Sequence, residues 1–118
     1  MNHILLLEPN REHVPHLVFL LKSSDIQCTV ASSFDEVINW LSAARMMVAH
    51  FDLVLLNSLQ GSGPEKKLVN RMVGSTTVPV VYVQREGSSL PHIPGDGITI
   101  CHPDNLLNCL RECLAIEN

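Results

Sequence analysis

Short apolar runs recur along the chain, and segments of amphipathic or mixed character separate them. Each run is four to six residues long, which fits a strand better than a helix. The predicted strands are 3–7, 28–31, 51–56, 78–83 and 98–101. Strands that alternate with helix-length segments are typical of a parallel sheet covered by helices on both faces, so we expect an α/β protein.

Helix signals fall between those strands. A first helix is predicted to begin at residue 11 or 12 and to end at Lys22, with Pro15 in or near its first turn and Phe19 in the core. At the start of the second helix, Ser33 and Glu36 form a capping box, in which their side chains satisfy opposite backbone N–H groups. The apolar positions behind this box recur at helical spacing: Phe34, Val37, Ile38, Leu41 and Ala44.

The later segments differ in how well they suit a helix. A third helix is predicted at about 65–73, ended by Gly74, and a last one after Asp104, whose side chain can cap it. The segment 84–97 instead contains three glycines, two prolines and two serines, which argue against a well-formed helix. We therefore expect a single domain, 1–118, with a (βα)5 architecture whose fourth helix is shortened or irregular.

Composition and charge narrow the class of protein. With 118 residues, 46% of them hydrophobic and 17% charged, the chain is expected to bury a core of its own. The net charge of −4 offers no basic surface for nucleic acid or an anionic membrane. No apolar run approaches the ~20 residues that span a bilayer, and the N-terminus lacks the pattern of a secretory signal. We expect a cytoplasmic protein.

The four cysteines form no C-x-x-C motif. In a reducing cytosol, the simplest interpretation of Cys28, Cys101, Cys109 and Cys113 is that they are small buried apolar residues. Cys109 and Cys113 lie four apart on the predicted last helix, so with Cys101 and His102 they could supply metal ligands. Structural zinc sites usually have a second tight ligand pair, which the sequence lacks. We therefore predict no metal site. We also predict that the chain has no cofactor.

The residues that follow the predicted strands are the candidates for function. In open parallel sheets, ligands bind outside the carboxyl ends of the strands, where the connections diverge to opposite faces. The residues there are Glu8-Pro9-Asn10, Asn57-Ser58, Gln84-Arg85 and His102-Pro103.

Together with the strands that precede them, those residues resemble the response-regulator receiver family, the phosphoacceptor domain of two-component signalling. The segment 4–8 fits the family's first strand and its acidic end, 51–57 fits the strand that ends in the phosphoacceptor aspartate, and 78–84 fits the fourth strand. His102-Pro103 falls on the family's Lys-Pro pair. The resemblance spans nearly the whole chain and implies a flavodoxin-like fold, a doubly wound five-stranded sheet with strand order 2-1-3-4-5.

The residues that carry out phosphorylation in the family are altered at the matching positions. Asn57 stands where the nucleophilic aspartate is expected, and an amide is a very poor nucleophile. Glu8-Pro9 stands where the family has the acidic pair that holds Mg²⁺, and Glu8 alone is a poor site for that ion. The predicted degenerate phosphoacceptor pocket is Glu8, Pro9, Asn57, Gln84 (for the switch hydroxyl), Thr99 (for the switch aromatic), His102 (for the lysine) and Pro103.

Three further placements concern this pocket. Asp52 lies five residues before Asn57 on the same strand, so it is expected roughly 16 Å away, toward the opposite end of that strand. His102 could hydrogen-bond Asn57 and Glu8, either as a passive filler or as a pH-sensitive group. His13, at the first helix, is expected to be a solvated or rim residue.

These departures favour a pseudo-receiver, which keeps the receiver scaffold without the phosphoryl switch. We expect a phosphorylation-independent protein interaction module of bacterial two-component or phosphorelay signalling, and not an enzyme. Its partner would be a signalling protein or a histidine kinase, bound through the first helix, the last helix or the segment 84–97; a weak homodimer stays open. The alternative is a small-molecule-binding or enzymatic flavodoxin-like domain, which the acidic, proline-containing turn 8–10 disfavours.

Overall fold

Five parallel strands form the centre of the molecule. The computed structural model describes residues 2–46, 50–57, 67, 69–72, 78–83 and 98–114. The strands are β1 (Asn2–Leu7), β2 (Ile26–Ala31), β3 (Leu53–Leu56), β4 (Val80–Val83) and β5 (Ile98–Cys101). Their order in the sheet is β2-β1-β3-β4-β5, which confirms the predicted flavodoxin-like topology.

Helices cover both faces of the sheet. They are α1 (Val14–Lys22), α2 (Phe34–Arg45), a helix α3 that includes Lys67 and residues 69–72, and the last helix α4 (Leu106–Leu114), which a 3₁₀ turn (Pro103–Asn105) precedes. Residues of α1 and α4 pack on one face, and residues of α2 and α3 pack on the other. The sheet is therefore doubly wound.

The central strands β1 and β3 are buried on both faces, which explains their continuous apolar sequences. Alternate residues contribute to two separate core layers. The layer against α1 and α4 contains Ile4, Leu6, Leu53 and Leu55, and the layer against α2 and α3 contains Leu5, Leu7, Val54 and Leu56. Burial on both sides holds the ends of these two strands in fixed positions.

Several element boundaries differ from the prediction because side chains compete with the backbone. α1 begins at Val14 because the Asn10 side chain accepts the Glu12 N–H, and its carbonyl accepts the His13 N–H, so residues 11–13 form a turn. β3 begins two residues late because the Asp52 carboxylate takes the His3 N–H that would otherwise extend the ladder. β4 begins only after Pro79, which has no N–H to donate.

The two predicted helix caps also differ in detail. The Glu36 N–H donates to the Ser33 hydroxyl as predicted, at 3.3 Å, but the Glu36 carboxylate accepts from the N–H and hydroxyl of Ser32 instead, both at 2.9 Å. The Ser32 backbone N–H and then its hydroxyl hold the pKa of Glu36 below its ordinary value. Asp104 does not cap the last helical segment; its own N–H donates to the His102 ring at 3.2 Å.

The prediction that Phe19 belongs to the core is wrong, because its side chain is 73% exposed. Leu17 and Leu21 occupy the buried face of α1. Phe19 is two residues from each of them, and at 3.6 residues per turn this places it on the opposite side of the helix.

Some predictions fall outside the described residues. They include the shortened or irregular fourth helix at 84–97, with Gln84, and the loop that begins at Ser58. These stay predictions. Among the described helices, none has the length and apolar character needed to cross a membrane.

Candidate functional site

The candidate site lies at the carboxyl ends of β1 and β3, which are neighbours in the sheet. Leu7 and Leu56 are register partners at the last paired position, so Glu8 and Asn57 follow side by side. The Asn57 N–H donates to the Leu7 carbonyl at 3.0 Å, and the Glu8 N–H donates to the Ala31 carbonyl at 3.1 Å. Backbone pairing therefore fixes both residues at the position that the sequence predicted.

A buried hydrogen bond joins these two side chains. The Asn57 Nδ2 donates to Glu8 Oε2 at 2.6 Å, and the two residues are 3% and 0% exposed. The other carboxylate oxygen, Oε1, accepts the Asn10 N–H at 3.0 Å. A buried carboxylate is costly unless donors surround it, and here each of its oxygens has one. The amide of Asn57 is thus one of the groups that allow Glu8 to be buried.

His13, and not His102, is the histidine beside this carboxylate. The His13 Nδ1 lies 3.6 Å from Glu8 Oε1, and its ring is 40% exposed. His102 faces away: its ring accepts the Asp104 N–H and lies 3.4 Å from the Asp104 carboxylate. The predicted bonds from His102 to Asn57 and Glu8 are therefore wrong. The polar turn at Asn10, which brings residue 13 back toward residue 8, is the sequence signal for this contact.

The remaining predicted pocket residues are more scattered. Pro9 is exposed directly after Glu8, Thr99 is exposed on β5, and Pro103 is exposed in the 3₁₀ turn. Gln84 lies outside the described residues. The described part of the pocket thus consists of the Glu8–Asn57 pair with Asn10 and His13 beside it.

These residues do not fit a bound Mg²⁺ ion, which the resemblance would imply. The ion needs several oxygen ligands in an octahedral arrangement, whereas both Glu8 oxygens accept hydrogen bonds and Asn57 turns its NH₂ group toward them. Within the described ranges, no group of three His, Cys, Asp or Glu residues is placed to hold a metal ion. The pair joins the ends of two neighbouring strands, and each oxygen of its one carboxylate already accepts a hydrogen bond.

A cavity of about 310 Å³ opens next to Glu8, between the first turns of α1 and α2. Its lining residues are Glu8, Arg11, Val14, Pro15, Val30, Ser32 and Glu36. A phosphate group would need free backbone N–H groups at the turn after β1. Pro9 has none, and the N–H of Asn10 is already bonded to Glu8. The cavity is therefore poorly suited to a phosphate-containing cofactor.

A second polar cluster lies at the amino ends of β1 and β3, at the other end of these strands from the Glu8–Asn57 pair. It was not predicted from the sequence. The Asp52 carboxylate accepts the His3 N–H at 2.8 Å and lies 3.0 Å from the His50 ring, while the His3 ring lies 2.7 Å from the Thr29 hydroxyl. Burial alone would raise the pKa of Asp52, but the His3 and His50 bonds outweigh it and hold the pKa below its ordinary value. Asp52 directly precedes β3 and Asn57 directly follows it, so the two residues lie at opposite ends of that strand, as predicted.

Comparison with known proteins identifies the fold. A scan against protein-family models and a search of curated proteins each find no match. Among solved structures, the response regulator receiver protein from Burkholderia phymatum has a TM-score of 0.71 at 18% identity, covering 99% of this chain and 98% of that chain. A two-component response regulator from Clostridium difficile has a TM-score of 0.65 at 20% identity, covering 98% and 97%.

A third similar structure comes from a complex. A chain in the crystal structure of histidine kinase ThkA with response regulator protein TrrA has a TM-score of 0.66 at 14% identity, covering 97% of this chain and 99% of that chain. At these identities the similarity establishes the fold. This chain has the fold of response regulator receiver proteins over nearly its whole length.

Proposed function

We propose that this protein is a pseudo-receiver, a phosphorylation-independent interaction module of bacterial two-component or phosphorelay signalling that acts in the cytoplasm and is not an enzyme. The observation that carries the proposal is the buried hydrogen bond from Asn57 to Glu8. It lies at the strand ends where, by resemblance, a receiver has its phosphoacceptor aspartate and its metal ligands. An amide there cannot form an acyl phosphate.

The same bond supports a single fixed state. In a switching receiver, a phosphoryl group and a cation bring new charge to the pocket and select a second conformation. Here the donor to Glu8 is the NH₂ group of Asn57. This group is a permanent part of the chain, so it is neither added nor removed as a phosphoryl group would be. Thr99, in place of the switch aromatic, lies exposed on β5 and provides no large side chain to change position.

Incubation with acetyl phosphate and Mg²⁺ tests the chemistry. We expect no phosphoryl adduct on the intact protein by mass spectrometry, while a phosphorylatable response regulator in the same reaction is labelled. Stoichiometric labelling that is stable in acid and removed by hydroxylamine would show an acyl phosphate and overturn the proposal.

The outer face of α1 is the partner surface that we propose, with the dimerisation helices of a histidine kinase as its partner. The exposed Phe19 supports this choice, because aromatic side chains, Phe among them, are enriched at protein–protein interfaces. The similar chain from the ThkA–TrrA complex also supports a kinase as a partner class.

A matched pair of variants tests this surface. Phe19→Ser should weaken binding to a purified kinase dimerisation domain by about tenfold or more in titration calorimetry, because it removes a large apolar contact. Met46→Ser is the control, since Met46 is 75% exposed, close to the 73% of Phe19, but lies just after α2. Equal affinities for the two variants would exclude α1 as the binding surface.

The cavity of about 310 Å³ beside Glu8 favours a second candidate function, the binding of a small molecule. Its mixed lining, which includes Arg11 and the two acidic residues Glu8 and Glu36, would suit a small polar compound better than a flavin or nucleotide. A screen of flavins, nucleotides and amino acids by thermal shift separates the two candidates. A saturable rise in melting temperature that Arg11→Ala abolishes would favour the small-molecule domain.

A further inference from the structure

A second cavity, of about 500 Å³, opens where the chain turns from α1 into the edge strand β2. It lies at the amino end of β2, and none of its described lining residues belongs to the cavity beside Glu8. Its volume is within the ~300–1,000 Å³ that is typical of small-molecule sites. The described lining residues are Phe19, Lys22, Ser23, Asp25, Ile26 and Gln27.

The apolar part of this lining comes from two side chains that differ in burial. Ile26 is 1% exposed and belongs to the core layer beneath α1 and α4, so its position is fixed by packing. The ring of Phe19 is 73% exposed and accessible to a ligand. Aromatic rings pack favourably on one another in offset or edge-to-face arrangements, so this surface suits an aromatic group.

Two opposite charges also line the cavity. Lys22 and Asp25 are three residues apart in the chain, and both are exposed. Among the residues that the structure describes, neither side chain forms a hydrogen bond or an ion pair. An ammonium group and a carboxylate are therefore both available to a ligand at the same cavity.

The backbone between these two charges is a tight, hydrogen-bonded turn. The N–H groups of Ser23, Ser24 and Asp25 donate to the carbonyls of residues 19, 21 and 22, each at 3.0 Å. Asp25 has a φ of 59°, a left-handed conformation that glycine adopts at lower cost after a helix. The turn itself therefore does not require a carboxylate there. Because the turn fixes the backbone at both charged residues, less of it must be ordered when a ligand binds.

We propose that this cavity binds a free aromatic α-amino acid as its zwitterion, with the ring against Phe19 and Ile26, the carboxylate at Lys22 and the ammonium group at Asp25. Each charge of the ligand then meets an opposite charge, and its ring leaves water. The proposal goes beyond the proposed function, because it adds a ligand site that requires neither a kinase nor the Glu8–Asn57 pair.

A two-dimensional NMR titration of the isotope-labelled full chain with L-tryptophan tests the site. We expect saturable shifts of the amide signals, centred on residues 19–27, with a Kd below about 1 mM. Shifts centred on Arg11 and Ser32 would place the ligand in the cavity beside Glu8 and would overturn the proposal. The absence of saturable shifts up to about 5 mM would overturn it as well.

Related compounds test the role of each ligand group in the same titration. Tryptamine lacks the carboxylate and indolepropionate lacks the ammonium group, so each should bind about fivefold more weakly than L-tryptophan. Glycine lacks the ring and should give no saturable shifts. N-acetyl-L-tryptophanamide carries neither charge. If it bound as tightly as L-tryptophan, the two charges would have no role and the proposal would be wrong.

Two substitutions test the role of each charged side chain. Lys22→Met should weaken L-tryptophan by about fivefold without weakening tryptamine, which has no carboxylate to lose a contact. Asp25→Asn should weaken L-tryptophan to a similar extent without weakening indolepropionate, and asparagine tolerates the left-handed conformation. Asp35→Asn is the matched control, because it neutralises an exposed carboxylate on α2. Equal affinities of Asp25→Asn and Asp35→Asn for L-tryptophan would exclude Asp25 as the ammonium partner and overturn the proposal.

Discussion

The two ends of the β1–β3 pair are each joined by a hydrogen bond to a carboxylate, and each bond links residues 49 positions apart in the chain. At the carboxyl end, Asn57 donates to Glu8, which is fully buried. At the amino end, His3 donates to Asp52, whose side chain is 28% exposed. Bonds of similar length therefore lie in very different surroundings.

We expect this difference in burial, more than the small difference in bond length, to determine what each polar pair contributes to stability. Water can replace the donors of Asp52 when a bond is lost, so that end tolerates change. Glu8 is fully buried, so its carboxylate depends far more on the donors that the fold provides. The bond at the amino end is a surface interaction. The bond at the carboxyl end restricts which type of residue can stand at position 57, directly after β3.

The sharpest way to break the carboxyl end is Asn57→Asp, which would put two carboxylates where a hydrogen bond of 2.6 Å now lies. We expect a loss of roughly 3 kcal/mol or more in the free energy of unfolding at pH 7. Repulsion raises a carboxyl pKa in the folded state, so the loss shrinks as the pH falls through that raised pKa toward the unfolded value of ~4. Urea unfolding at pH 7 and about pH 5 measures both effects.

The control for this variant is Asn57→Ala, which removes the donor without adding a charge. It should lose less, about 2 kcal/mol, because a charged acceptor keeps its burial but loses one bond. If both variants lost the same free energy at pH 7, repulsion between carboxylates would not be the cause.

A smaller effect is expected at the amino end. Asp52→Ala should reduce the free energy of unfolding by about 1 kcal/mol at pH 7, because it removes the acceptor for the His3 N–H at a partly exposed site. The pKa of Asp52 is lowered in the folded state, so this contribution is present above the unfolded value of ~4 and is lost as the pH falls through the folded pKa. A difference between wild type and variant that stayed constant from pH 6 to about pH 2 would contradict this assignment.

The smallest effect is expected for His50→Gln. The His50 ring is 82% exposed, so its contact with Asp52 should contribute less than about 0.5 kcal/mol, and salt should reduce that further. Thermal unfolding at low and high salt measures it. A loss above about 1 kcal/mol would mean that the amino end is more shielded from water than the exposure of His50 indicates.

Much of the fold could be predicted because β1, β3, β4 and β5 are apolar for most of their length, and strand order followed from the resemblance. The boundaries were harder. The turn at Asn10 and the carboxylate of Asp52 each take backbone N–H groups, and such local competition is weakly marked in sequence. Phe19 was misplaced because α1 is apolar almost all round, so the pattern alone does not distinguish its faces.

The candidate site, like the fold, could be predicted from the sequence only in part. Glu8 and Asn57 could be placed because paired backbone strands fix the residues that follow them. The histidine beside them could not, since its identity depends on the conformation of two short turns. One turn brings His13 to Glu8, and the other bonds the His102 ring to the Asp104 N–H.

The spacing of the two carboxylate bonds also bears on how the chain folds. Neither bond can form until β3 reaches β1, and that step closes a loop of nearly fifty residues, whose entropy must be lost before either contact is gained. The bonds at the two ends therefore report on one docking event. A fluorescent or isotopic label at either end of β3 would measure when β3 docks onto β1. That step closes the loop that contains α1, β2 and α2, and it forms the centre of the sheet.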